Sequence, residues 1–297
     1  GIAITITITI TSKSKSRSES RKRAAEPLEF LDPSHVRLHG RRLLYFGGCD
    51  YLRLAREPRI RSALGAALDR GEINVGASRR TSGNRRVYEE LERELAGFFE
   101  VEAAVLVSSG YVTSLVAAQA LAGSYTQVLL DARAHAALVD AAKFLEAPVE
   151  RFRHRDATDL ARRLKRAGGA SRPIVLTDGM FAHDGSVAPL RAYARVLPRG
   201  GWLLVDDAHG AGILGAHGRG AAELEGVEEG RLIRTITLSK AFGVYGGAIL
   251  GSGDLREQVL RRSRLFIGNT PLPPVLAEGA RAAIRFLRRR PGLRRRS

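Results

Sequence analysis

The chain has 297 residues, a formal net charge of +17, and 44% hydrophobic, 27% charged and 6% aromatic residues. That length supports one large domain or two ordinary ones with a substantial core, and no apolar run reaches the roughly 18 to 20 residues that a membrane-spanning helix needs. A single cysteine, Cys49, excludes an internal disulfide or a cysteine-built zinc cage and points to a reducing, cytoplasmic compartment.

Residues 1–24 form a low-complexity tail in two dipeptide-period blocks, Ile/Thr and then Ser with Lys, Arg or Glu. An N-terminal segment, 25–75, follows. Within it His35 and His39 stand four apart and would share a face if helical, but no third ligand is near, so no metal is expected. Val87 to Phe98 reads as a helix with Tyr88, Leu91, Leu95 and Phe98 on one face. Strand-like runs then follow at Ala103–Val107, Gln127–Asp131, Val149–Phe152, Pro173–Thr177, Trp202–Asp206, Thr235–Leu238 and Gly247–Leu250. Helical stretches fall between them near 112–122, 136–146, 157–166, 188–196 and 254–265. This alternation predicts an α/β domain over 76–275 with a mostly parallel sheet flanked by helices. Arg281 to Ser297 starts as a helix and breaks at Arg290-Pro291-Gly292 into an arginine run without another core-forming element, so order is expected to end near residue 280.

The charge sits at those ends. Residues 1–25 carry six Lys/Arg against one Glu, and residues 281–297 carry eight Arg and no acid, which accounts for 13 of the 17 charges. A domain that tracks phosphates would spread its charge over a folded face and interleave aromatics. The arms therefore read as solvated, and neither nucleic acid nor membrane is an expected partner.

In such a sheet ligands sit at the carboxyl ends of the strands. Ser108-Ser109-Gly110-Tyr111 opens a helix there, as an ordinary turn or as an anion site built from free N–H groups. His135 follows the next run and, taken alone, is a cap or surface residue. Trp202 to Gly210 drives two carboxylates and an imidazole to a strand tip, where a buried Asp206 calls for a positive partner. Lys240 stands between an apolar strand and Gly243 in a chain whose basic residues are overwhelmingly arginine. It reads as a structural lysine or as a desolvated amine able to form an imine. Gly210-Ala-Gly212-Ile-Leu-Gly215 matches a dinucleotide fingerprint weakly, because two acids occupy the approach of a pyrophosphate.

Seven segments in order carry a family likeness over about residues 40–275: Tyr45-Phe-Gly-Gly-Cys-Asp-Tyr51-Leu, Gly76-Ala-Ser-Arg-Arg-Thr-Ser-Gly-Asn84, Ser109-Gly-Tyr111, Asp131-Ala-Arg-Ala-His135, Thr177-Asp-Gly-Met-Phe-Ala-His-Asp-Gly185, Val205-Asp-Asp-Ala-His-Gly-Ala-Gly212 and Thr237-Leu-Ser-Lys-Ala-Phe-Gly243. Together they resemble the α-oxoamine synthases, fold-type I enzymes that use pyridoxal 5'-phosphate. The resemblance implies that Lys240 holds the cofactor as an imine and later moves the substrate's α-proton. It also implies that Asp206 pairs with the pyridine nitrogen, His209 reaches the phenolic oxygen and His135 stacks on the ring. Ser109, Gly110, Tyr111 and Thr237 would hold the phosphate, and Asp178 stands where the family usually has glutamate. Thr270 would come from the neighbouring subunit of a homodimer. The implied reaction joins an amino acid to an acyl thioester with loss of carbon dioxide, and the Val205–Gly212 wording points to the branch that uses L-alanine and a pimeloyl thioester. Another fold-type I activity, such as an aminotransferase, and a non-catalytic cofactor-binding remnant stay open. Ala182 replaces a serine expected near the cofactor, with His183 beside it as a substitute donor, while Cys49, Arg53 and Arg80 also depart from the pattern. The chain is expected to stop within the start of the family's C-terminal domain, 276–297.

Overall fold

A computed structural model describes residues 26–166 and 171–296, so the dipeptide-period blocks of residues 1–24 lie outside the described residues. The chain divides at Cys49 into two units. In the first, β1 (Glu29–Asp32), β2 (His35–Leu38) and β3 (Arg41–Leu44) form an antiparallel meander. His35 lies on β2 and His39 in the following turn at φ 50°, so the two do not share the helix face that their spacing suggested.

The second unit begins with α1 (Pro58–Asp69) and α2 (Arg86–Phe99). Tyr88, Leu91, Leu95 and Phe98 of α2 are all buried, as their spacing predicts. Then come β4 (Ala103–Val107), α3 (Gly110–Ala120), β5 (Gln127–Asp131), α4 (Ala136–Ala142), β6 (Val149–Phe152), α5 (Ala157–Arg166), β7 (Pro173–Asp178), α6 (Leu190–Val196), β8 (Trp202–Asp206) and α7 (Ala221–Glu225). The series closes with β9 (Leu232–Thr237), β10 (Gly247–Gly251), α8 (Gly253–Arg262), α9 (Arg264–Ile267) and α10 (Pro274–Arg289). The seven strands β4 to β10 form one sheet in the order β4-β10-β9-β8-β7-β5-β6. All neighbours are parallel except β10, which runs against both β4 and β9.

Strand alternation sorts the core onto two faces. Val105, Val128, Leu130, Ile174, Leu176, Leu204, Ile233 and Ile249 pack against α3, α4 and α8 on one side. On the other side Leu106, Ile236, Ala248 and Leu250 meet α2 and α10, and Leu129, Val175, Leu203 and Val205 meet α5 and α6. Helices on both faces bury the parallel strands, which explains their unbroken apolar runs.

The far end departs from expectation. Order does not stop near residue 280: α10 continues to Arg289, with Ala283, Ile284, Phe286 and Leu287 buried in the same core as α2. Its arginines are not a solvated arm throughout. Arg281 bonds Glu90 at 2.7 Å and Glu94 at 3.1 Å, and Arg285 bonds Glu94 at 2.6 Å. Acids on α2 meet the charge that the local sequence leaves unbalanced.

Candidate active site

Five strand ends converge on a cavity of about 270 Å³, lined by Ser109, Gly110, Tyr111, His135, Asp178, Asp206, His209, Thr237 and Lys240 together with Ala137, Ala208, Ser239 and Tyr245. Residues far apart in sequence thus meet at the carboxyl edge of the sheet, where helix N-termini and loop amides are available for polar ligands. Of the residues to which the family resemblance gives a cofactor contact, Thr270 lies elsewhere. It lines a small crevice beside Ser108 and Asn269.

Asp206 ends β8 and accepts the Ala208 N–H at 3.1 Å. Burial raises its affinity for a proton, opposed by that amide and by the nearby Lys240 and His135. The Lys240 amine lies 2.7 Å from His209 Nε2, and His209 Nδ1 lies 2.6 Å from the Tyr51 hydroxyl. Burial, with Lys240 and His135 adding to it, pushes His209 down to about 4, so the imidazole is neutral at physiological pH. His135 caps α4 through Nδ1, which accepts the Ala137 N–H at 3.2 Å, and its own amide donates to Asp178 Oδ2 at 2.9 Å. Burial and the Asp206 charge push Asp178 up to about 7.

At the other end of the cavity Ser109 starts α3 without a side-chain cap, which leaves the first-turn amides for an anion. A Cβ at Gly110 would fall 2.6 Å from Thr237 Cβ, so only glycine lets that turn approach β9. The Thr237 hydroxyl donates to Gly246 O and accepts the Ser239 N–H, each at 3.2 Å.

The structure separates the two carboxylates that the sequence grouped. Asp207 points away from the cavity, and its Oδ2 accepts the Ala221 N–H at 2.9 Å. A Cβ at Gly179, Gly210 or Gly220 would come within 2.4, 2.2 or 1.7 Å of its carboxylate. Gly210 therefore serves a side chain and not a pyrophosphate, which removes the dinucleotide reading. His183 does not reach the cavity as a substitute donor. It lines an adjoining chamber of about 170 Å³ with Arg133, His154 and Ala182, which meets the cavity at His135 and Asp178. Tyr51 was missed as a partner of His209, because 158 residues separate them.

The donor set fits pyridoxal phosphate. An amine can bond the aldehyde, a buried anion answers a protonated ring nitrogen, and an uncapped helix start answers a phosphate. The chain thus has the fold and site of a fold-type I pyridoxal-phosphate transferase. It belongs to the family Aminotransferase class I and II, whose profile matches residues 42–296, and within it to the α-oxoamine synthases. It is 40% identical over 257 residues to 8-amino-7-oxononanoate synthase of Thioalkalivibrio sulfidiphilus, covering 86% of this chain and 65% of the relative. It is 38% identical over 265 residues to the enzyme of that name from Methylococcus capsulatus, covering 89% and 68%. Among solved structures, serine palmitoyltransferase of Sphingomonas wittichii superposes with a TM-score of 0.81 at 30% identity, covering 86% of this chain and 65% of that one. The chain thus spans about 65% of the length of the first of these curated relatives. Among the described residues no helix is long and apolar enough to cross a membrane.

Proposed function

We propose that this chain carries the catalytic centre of a pyridoxal-phosphate-dependent acyltransferase that condenses an amino acid with an acyl thioester, releasing the thiol and carbon dioxide and leaving an α-amino ketone. The finer reading is L-alanine with a pimeloyl thioester, supported by relatives named 8-amino-7-oxononanoate synthase. The observation that carries the proposal is the meeting of the Lys240 amine, the His209 imidazole and the buried Asp206 in one cavity.

Bound cofactor supplies an electron sink for the charge left when the amino acid loses its α-proton. Asp206 keeps the ring nitrogen protonated, because a buried carboxylate gains most from a charged partner. Lys240 Nζ would hold the cofactor through its aldehyde carbon, and the same amine is placed to move the substrate's α-proton. Neutral His209 offers one ring nitrogen to Lys240 or to the cofactor's phenolic oxygen, and its other nitrogen is held by Tyr51. His135 is fixed at both its amide and its Nδ1, which presents the ring edge-on to Tyr111 with centroids 6.1 Å apart and lets it flank the cofactor. Ser109, Gly110, Tyr111 and Thr237 hold the phosphate. Thr270 completes the phosphate contacts of the other subunit in a homodimer. Residues 76–275 are the cofactor-binding domain in this reading.

Borohydride reduction followed by peptide mapping tests the centre. The label is expected on Lys240 and lost in Lys240→Ala, and a label elsewhere overturns the proposal. A panel of glycine, alanine and serine with short, dicarboxylic and long acyl-CoA, scored by free CoA, tests the substrates. Consumption of a keto acid without CoA release would instead mark an aminotransferase.

A further inference from the structure

Among the described residues β4 is an edge strand, paired with β10 on one side and with no strand on the other. Alternate amides of such a strand face outward without a ladder partner. The outward Leu106 N–H donates to Glu92 Oε1 of α2 at 2.9 Å. Glu92 is only 7% exposed, and its charge is met by Arg79, whose two terminal guanidinium nitrogens each bond one carboxylate oxygen. Arg79 is held in turn above the Tyr88 ring at 5.2 Å and near the Phe266 ring at 5.8 Å. A buried acid with its own buried counterion thus stands in for the missing neighbour strand.

The strand held in this way ends at Val107 and leads into the phosphate turn, whose Gly110 is four residues after Leu106. On its inner side that turn has no slack. A Cβ at Gly247, the β10 partner of Val107, would lie 2.9 Å from the Gly110 amide nitrogen, and one at Gly110 would lie 2.6 Å from Thr237 Cβ. Movement of β4 by a few tenths of an ångström shifts the donor amides of Gly110 and Tyr111. Anion binding by preorganised amides is sensitive to displacements of that size.

We infer that Glu92 is a positioning residue for the phosphate turn: through the Leu106 N–H it fixes the edge strand so that the Gly110 and Tyr111 amides are set for the cofactor's phosphate, with Arg79 holding the carboxylate in place from its other side. This rests on the reading above that the turn holds that phosphate. Glu92 touches no ligand and acts only through the strand.

Two double variants separate the hydrogen bond from the ion pair. Arg79→Met with Glu92→Gln removes both charges and keeps an acceptor for Leu106; Arg79→Met with Glu92→Met removes the acceptor as well. Dissociation constants for pyridoxal phosphate and for pyridoxal, titrated into stripped protein, give the phosphate preference as a ratio. That ratio is expected to stay within about threefold of wild type in the Gln variant and to fall at least about tenfold in the Met variant, with pyridoxal affinity nearly unchanged. Equal ratios in the two variants, or an equal loss for both ligands, overturn the inference. If wild-type protein takes no borohydride label at Lys240, the functional reading falls and this one with it; a labelled wild type with equal ratios sinks this one alone. Should a variant not fold, amide exchange of the unaltered protein decides. Exchange at Leu106 should slow together with Gly110 and Tyr111 when pyridoxal phosphate replaces pyridoxal, and an unchanged Leu106 overturns the inference.

Discussion

Asp178 and Asp206 are register partners at the ends of the adjacent parallel strands β7 and β8, and both line the cofactor cavity. Burial, with the Asp206 charge adding to it, lifts Asp178 from 3.8 to about 7, while burial depresses His209 from 6.5 to about 4. The two groups act on stability in opposite directions. Between about pH 4 and 7 the unfolded chain gives up the Asp178 proton while the folded chain keeps it, so this group stabilises the fold at low pH and loses that contribution as pH rises. Below about pH 6.5 the unfolded chain protonates His209 while the folded chain does not, so that contribution grows as pH rises to 6.5. In cofactor-free protein, Asp178→Asn should therefore make stability climb more steeply from pH 4 to 7, and His209→Gln should make it climb less or decline. Each difference should amount to a few kcal/mol, since a tenfold change in proton affinity between folded and unfolded chain is worth about 1.4 kcal/mol. Urea midpoints across that range measure both; slopes that move together would contradict the assignment.

Tyr51 fixes which nitrogen of His209 faces the amine, through its 2.6 Å contact with Nδ1. Tyr51→Phe removes that hydroxyl and keeps the ring. We expect kcat to fall about 10- to 100-fold, with the pH–rate profile displaced and the unfolding midpoint nearly unchanged. A lower midpoint with an unmoved pH profile would mean that the tyrosine serves packing alone.

Much of this site was legible because chemistry in a parallel sheet falls at strand ends, and the strands announce themselves as apolar β-branched runs. Asp206 ends such a run, and Lys240 and His135 lie two and four residues past theirs. What escaped depends on contacts between distant parts of the chain. Tyr51 lies before the helices and strands that bring His209 to it. Glu92 stands four residues after Tyr88 and three before Leu95, on the apolar face of its helix, but in sequence it is one of several acids there and its partners Arg79 and Leu106 come from other elements; Glu94, off that face, binds Arg281 and Arg285. The end of α10 was misjudged for a different reason. Arginine density and the Pro291-Gly292 break drew attention from Ala280, Ala283, Ile284 and Leu287, whose spacing of three and four is itself a buried helical face.

Gly220 adopts φ +94° with the Asp207 carboxylate 1.7 Å from where a Cβ would stand. Gly220→Ala meets both a steric overlap and an unfavourable backbone, and should cost about 3 kcal/mol or more. Asp207→Ala should also destabilise, because the Ala221 N–H loses its acceptor. Combined, the two should cost clearly less than their sum, since the second removes the atom that the first strikes. Additive losses in denaturant unfolding would show that the overlap is relieved some other way.

Leu287 is wholly buried on the last turns of α10, three residues before Arg290, in the stretch that charge alone would assign to solvent. Leu287→Ala should destabilise the chain by about 2 to 5 kcal/mol, the cost of a truncated leucine in a packed core. Arg285→Ala breaks a half-exposed pair with Glu94 and should cost no more than about 1 kcal/mol. Urea unfolding of the two variants at one pH separates the cases: near-zero change for Leu287→Ala would return the segment to a solvated arm, whereas the expected contrast makes residues 281–289 part of the core behind β4 and β10.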